Sequence, residues 1–190
     1  MRSGLARMIK SAIVSSFIAS PAAATGIQIT VNGKHTRGDI AIDLFEDVAP
    51  NHVKQLTALA ESGFYDGVYF HRVIDGFMAQ TGDGKFGKSS QDSLQRAGTG
   101  ASSLPNLAAE FSDIPFDRGV VGMARSQDVN SANSQFFIMF NDGHFLNGQY
   151  TVVGRVVDGL EVLDQIKRGD ASTFSVTGQP DTMTTVTVLK

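Results

Sequence analysis

"YFHRVIDGFMAQTGD", Tyr69 to Asp83, carries apolar residues on both sides of Asp75-Gly76. An Asp-Gly pair between such runs is a hairpin signal, because both residues tolerate the backbone angles of a tight turn. The turn length decides what the strands present. A two-residue turn pairs Ile74 with Phe77 and puts Arg72 and Gln80 on opposite faces. A three-residue turn, Asp75-Gly76-Phe77, pairs Ile74 with Met78 and Arg72 with Gln80, so that Phe70, Arg72, Met78 and Gln80 share one face. That face is half apolar and sets one permanent cation beside an amide. Sequence alone leaves both turns open.

Similar short alternations run through the chain. "GIQITVNG" places Ile27, Ile29 and Val31 on one face, and "GDIAIDLF" does the same with Ile40, Ile42 and Leu44. "GVVGMA", "SQFFIMF", "YTVVGRVV" and the C-terminal "TTVTVLK" are further strand candidates. Two stretches carry helical spacing. "APNHVKQLTALAESG" puts Val53, Leu56, Leu59 and Ala60 on one side, with Pro50 suited to the first turn and Gly63 to the stop. "LEVLDQIKRG" repeats Leu160, Leu163 and Ile166. Strands throughout, with one helix early and one late, do not build βαβ units. They predict a closed antiparallel β-barrel with a helix over each open end.

The whole chain bounds the function. It has 190 residues, enough for one domain with a real core, and its 42% apolar content is that of a soluble globular protein. The net charge of −3 does not suggest a nucleic-acid partner. The absence of cysteine excludes disulfides, thiol catalysis and thiolate metal sites. The N-terminus differs from the rest. Arg2, Arg7 and Lys10 precede the mostly apolar "SAIVSSFIAS", then "PAAATG", and no acid occurs before Asp39. That layout predicts a secretory signal peptide over residues 1–24, a mature domain over 25–190, and a periplasmic or otherwise exported location. A cytoplasmic chain with an N-terminal tail is the alternative. Cleavage removes three positive charges and takes the net charge from −3 to −6.

"TGDGKFGKSS", Thr81 to Ser90, spells a phosphate-binding loop, and Gly82, Gly84 and Gly87 spell a dinucleotide fingerprint. Either motif needs a helix to follow, whose first amides meet the phosphates. "SQDSLQRAGTGASS" follows instead, with a single leucine and no apolar face. The loop is expected to be a surface turn, with no nucleotide bound. His35, His52 and His144 are assigned solvent-facing or structural roles, and His71 that of a hydrogen-bonded core histidine in a strand. In "SQFFIMF", one of Phe136 and Phe137 is core and the other needs cover; "GHFLNGQY" sets Phe145, Leu146 and Tyr150 in a loop.

"FHRVIDGFMAQTGD", "GMAR" and "NSQFFI", in this order, resemble the signature segments of the cyclophilins, the cyclosporin-binding peptidyl-prolyl cis–trans isomerases. "MARSQDVNSANSQFF" is similar to their bacterial branch. The resemblance spans about Gly26 to Lys190 and implies an eight-stranded closed barrel capped by two α-helices. It implies Arg72 and Gln80 as catalytic residues. It also implies Phe77, Met78, Ala124, Arg125, Gln135, Phe137, Phe145, Leu146 and Tyr150 as the substrate-binding set. No metal or cofactor is implied. The implied partners are proline-containing segments of folding proteins, bound by a monomer. Three positions depart from many eukaryotic members, which carry Trp at Phe145, His at Tyr150 and Asn at Arg125. The aromatic wall persists, so turnover is expected, while loss of the indole N–H implies that cyclosporin binds weakly. Arg125 is expected to alter the preference for the residue before proline. Two other readings compete: a non-catalytic proline-binding or chaperone module, and a nucleotide-binding enzyme resting on the loop letters.

Overall fold

The computed structural model describes residues 25–88 and 95–190; the expected signal peptide lies outside them. Among the described residues nine strands form one antiparallel sheet. They are β1 (Gly26–Asn32), β2 (Arg37–Leu44), β3 (Val68–Tyr69), β4 (Arg72–Ile74), β5 (Met78–Thr81), β6 (Val120–Met123), β7 (Phe136–Met139), β8 (Val152–Asp158) and β9 (Thr182–Leu189). Helix α1 (Pro50–Glu61) packs against β9, and the short α2 (Leu160–Gln165) packs against β2.

The expected closed eight-stranded barrel is not what forms. The strand order is linear, β3-β9-β1-β2-β8-β6-β7-β5-β4, and the edge strands β3 and β4 share no ladder. The fold is an open, curled nine-stranded half-barrel. The curl follows from chain length. Only Phe70 and His71 separate β3 from β4, so the edges lie within about 11 Å of each other, whereas nine flat strands would hold them about 38 Å apart. Closure fails because each edge spends its hydrogen bonds on a loop. Tyr69 N donates to Gly87 O, Val68 bridges Lys88, and Arg72 bridges Ser175. The ninth strand arises because the run through Tyr69 to Ile74 is broken at Phe70–His71. His71 is therefore buried but not within a strand. Phe70 belongs to the main core rather than to the face of Arg72.

The hairpin uses the three-residue turn. Arg72 faces Gln80, Val73 faces Ala79 and Ile74 faces Met78. Phe77 N donates back to Ile74 O, and Gly76 takes φ 69°, which a residue with a Cβ rarely adopts. Period-two alternation then splits the sheet into two apolar clusters. Val73, Ala79, Val121, Phe136 and Ile138 enter the main core beneath the helices. Met78, Val120, Phe137, Met139 and Val152 enter a second cluster on the other face, with Phe116 and Leu146. Of the two adjacent phenylalanines, Phe136 is core, and Phe137 is covered by Phe116 and Tyr150.

The glycine-rich loop is closed by its own aspartate. Asp83 is fully buried, and its Oδ1 accepts the amides of Lys85 and Phe86 at 3.1 and 2.9 Å. Gly87 N donates to Asp83 O. Amides that a phosphate would need are thus already taken. The Lys88 ammonium lies 5.9 Å over the Phe64 ring, and residues 89–94, where a following helix would start, lie outside the described residues.

His52 is structural. It is fully buried near the start of α1, and its Nδ1 donates to Glu110 Oε2 at 2.6 Å. The amides of Asn51 and His52 donate to the same carboxylate at 3.2 and 3.1 Å, and Asn51 Nδ2 at 2.7 Å. Glu110 thus caps α1 from a distant loop, satisfying amides that a helix start leaves free. Burial works to raise the Glu110 carboxyl, but the His52 and Asn51 hydrogen bonds outweigh it and hold it below the ordinary value. A depressed folded value means that this stabilisation is complete above the unfolded carboxylate range and is lost as pH falls through the folded one. Glu110→Gln is expected to cost about 0.5 to 2 kcal/mol at neutral pH. Urea titrations across pH should show the difference from wild type shrinking under acid; a pH-independent difference would contradict this account.

Candidate functional site

The β4–β5 hairpin presents Arg72 and Gln80 side by side, and β7 lies next to β5 with Phe137 opposite Gln80. Gly122 of β6 faces Phe137 from the other side. A Cβ at Gly122 would stand 2.5 Å from Phe137 Cζ and 2.6 Å from Phe116, so glycine gives the ring its room. A groove of about 480 Å³ opens above this surface. Its walls are Arg72, Phe77, Met78, Gln80, Ala124, Arg125, Phe137, Phe145, Leu146 and Tyr150. All the residues expected at the site stand on this groove except Gln135. That residue lies behind it, hydrogen-bonded to Gln80 and lining a second hollow of about 380 Å³.

The floor is apolar and rigid. Phe137 is stacked on Phe116 with centroids 5.7 Å apart, and Tyr150 meets it edge-on at 5.8 Å. Met78 is buried beneath, and Leu146 is nearly so. Leu146 comes from the 3-10 turn His144–Leu146, which also lifts Phe145 onto the rim. Phe145 is 66% exposed, its ring 5.3 Å from that of Phe77. An aromatic ring so exposed beside an apolar floor is surface left open to a ligand.

The polar side is a relay of side chains. Arg72 Nη1 donates to Gln80 Oε1 at 3.3 Å, and Gln80 Nε2 donates to Gln135 Oε1 at 3.0 Å. Gln135 Nε2 donates to the carbonyls of Gly98 and Gly100 at 3.0 and 2.8 Å. The amides of the same two glycines donate to Asp83 Oδ2 at 2.8 and 2.9 Å. The relay therefore begins at a half-buried cation and ends at a buried carboxylate. Burial pushes the Arg72 guanidinium below its ordinary value, against the opposing influence of Tyr150; arginine remains a cation at neutral pH regardless. Burial also pushes His71, the residue before Arg72, below its ordinary value, against the opposing influence of Asp83.

Arg125 is fixed as well. Its Cζ sits 4.4 Å over the Tyr150 ring, its Nε and Nη2 donate to Gln149 O, and its Nη1 donates to Ser126 O. It stands between the main groove and the second hollow, bordering both. Asp83 was missed as a site residue by the sequence reading. An aspartate opening a glycine-rich run is a signal for side-chain capture of nearby amides. Its partners at Gly98 and Gly100, by contrast, carry no local mark.

An apolar groove flanked by two fixed cations, Arg72 and Arg125, with no nucleophile–base pair among the described residues of its walls, suits binding and polarisation better than covalent chemistry. Comparison with known proteins agrees. A family profile described as "Cyclophilin type peptidyl-prolyl cis-trans isomerase/CLD" matches residues 27–188. A Brucella suis relative named "Probable peptidyl-prolyl cis-trans isomerase" is 54% identical over 168 residues, covering 88% of this chain and 86% of its own. A crystal structure of a Cryptosporidium parvum cyclophilin-type isomerase superposes with a TM-score of 0.73 at 26% identity, covering 88% of this chain and 99% of its own. Its structure in the presence of the dipeptide Ala-Pro gives 0.72 at 28% identity, covering 87% and 99%. The chain belongs to the cyclophilin family. It is an enzyme, a peptidyl-prolyl cis–trans isomerase that acts on proline-containing segments and aids protein folding.

Proposed function

We propose that the acceleration of X–Pro rotation comes from Arg72 acting on an amide twisted within the apolar groove. Amide resonance sets a rotational barrier of about 18–20 kcal/mol. In the twisted state resonance is lost and the nitrogen regains a lone pair. A donor aimed there stabilises the twisted state more than either planar one, which is the condition for catalysis. Phe77, Met78, Phe137 and Leu146 grip the proline ring. Backbone groups near Ala124 and Arg125 receive the segment before it, with Arg125 biasing that residue's identity. The observation carrying this reading is the state of Arg72. Its guanidinium is fixed on Gln80 at the edge of the apolar groove, and no carboxylate pairs with it among the described residues.

Arg72→Ala should lower kcat/KM for a proline peptide by about a hundred- to a thousandfold, the usual cost of a preorganised donor. Circular dichroism should stay native. Arg72→Lys should recover only part of the activity, because an ammonium lacks the planar fork. Gln80→Ala should lose less, and the double variant should lose no more than Arg72→Ala, since both act through one group. A folded Arg72→Ala protein with near-wild-type kcat/KM would remove Arg72 from the mechanism.

Two further properties are part of the proposal. Cyclosporin binds weakly to the monomer, because Phe145 offers a ring without an N–H. Phe145→Trp should tighten inhibition a few-fold to about tenfold, the worth of one hydrogen bond; equal inhibition of both proteins would contradict the assignment. The basic and apolar leader directs export, with cleavage near Thr25. Terminal sequencing of protein from fractionated cells tests this, and a cytoplasmic protein still starting at Met1 would refute it.

A further inference from the structure

Phe174 is the one non-glycine residue with a positive φ, 59°, among the described residues. A residue with a Cβ takes that conformation against a steric penalty, so its surroundings must impose it. They do. Asp170 Oδ1 accepts the amides of Ser172 and Thr173 at 2.9 and 3.0 Å, and Phe174 N donates to Asp170 O at 2.7 Å. The Ser172 hydroxyl and these amides hold the Asp170 carboxyl at about 2, so the turn keeps its charge at neutral pH. The turn is then pinned along the free edge of β4. Val73 N donates to Phe174 O at 3.0 Å, Gly169 N to Val73 O at 2.8 Å, and Val176 N to His71 O at 3.0 Å.

This clamp sets the Phe174 ring against Arg72, with the guanidinium carbon 5.7 Å from the ring centroid. Core packing does not account for the ring. It is 37% exposed and belongs to neither apolar cluster. We propose that Phe174 is a positioning residue for Arg72, a second hold on the guanidinium besides Gln80. A ring face attracts a cation without occupying its N–H groups. A carboxylate in the same place would take those groups and cancel the charge. The strained turn thus holds the guanidinium while leaving its fork free for the twisted amide.

This inference rests on the proposed role of Arg72, and the test separates the two. kcat and KM are measured for wild type, Phe174→Leu, Phe174→Gly, Phe174→Tyr and Arg72→Ala, with a melting temperature for each. Phe174→Leu and Phe174→Gly should lower kcat about two- to fivefold, the worth of one exposed cation–π contact, with KM unchanged. Phe174→Tyr, which keeps the ring face, should recover most of that loss. Phe174→Gly should melt no lower than wild type, because glycine suits φ 59°. The Arg72 Nε–H resonance should move in Phe174→Leu as the ring current disappears. Wild-type kcat in Phe174→Leu, or a loss there that Phe174→Gly does not share, overturns the positioning role even where Arg72→Ala is crippled. Wild-type kcat in Arg72→Ala overturns the reading of Arg72 itself.

Discussion

The buried Asp83 carboxylate is the constraint on which the site depends. Four amides converge on it, from Lys85, Phe86, Gly98 and Gly100, at 2.8 to 3.1 Å. A buried charge without a counter-ion persists only when its lone pairs are filled in this way. Hydrogen bonds to a charged group contribute about 1.5 to 3 kcal/mol each. Their combined effect is to tie both ends of a long polar excursion to the end of β5. The tie fixes the carbonyls of Gly98 and Gly100, which receive Gln135. Gln135 orients Gln80, and Gln80 orients Arg72. A cation at the groove is thus held by an anion that never touches it.

The sheet does a second job through its period of two. Because successive residues face opposite sides, β5 and β7 hold a core on one side and a binding floor on the other. Ile138 and Phe137 are neighbours in sequence, yet one stabilises the fold while the other lines the groove. The floor is accordingly as rigid as the sheet. The rim is different: Phe145 and Leu146 ride on a 3-10 turn, and Phe145 is largely exposed. A stiff floor with an exposed aromatic rim suits a ligand whose proline ring must be gripped while its amide turns.

Much of this was legible in the sequence, wherever the signal was local. The Asp75-Gly76 turn, the alternating strands and the helix beginning at Pro50 all stand where patterning put them. The residues that the separated motifs mark as a candidate site gather on one groove, with Gln135 just behind it. What patterning could not supply was non-local pairing. The closed barrel was expected because alternating strands say nothing about their edges. Tyr69 spends its amide on Gly87, and Arg72 bridges Ser175, about a hundred residues further on. Glu110 caps a helix 58 residues before it, and no local pattern marks a glutamate for that task. His71 read as a strand residue because its neighbours alternate, although the strand breaks there.

The surroundings of Arg72 are best understood by asking what a stronger partner would do. The chain carries 19 acids against 16 bases, so a carboxylate was available in abundance. A bidentate carboxylate would fix the guanidinium more firmly than an amide does. It would also occupy the same planar fork and neutralise the charge that the proposed mechanism directs at the twisted amide nitrogen. The hold seen here is weaker and neutral: one 3.3 Å hydrogen bond donated to Gln80 Oε1 and one ring face from Phe174. Orientation is kept while charge and donors stay free. Rotation about an X–Pro bond creates no full charge, only a recovered lone pair, so the donor facing it must not already be satisfied. If Arg72 acts on the twisted amide as proposed, anchoring it through neutral groups keeps its charge and its donors available, with the Asp83 carboxylate at the far end of the relay.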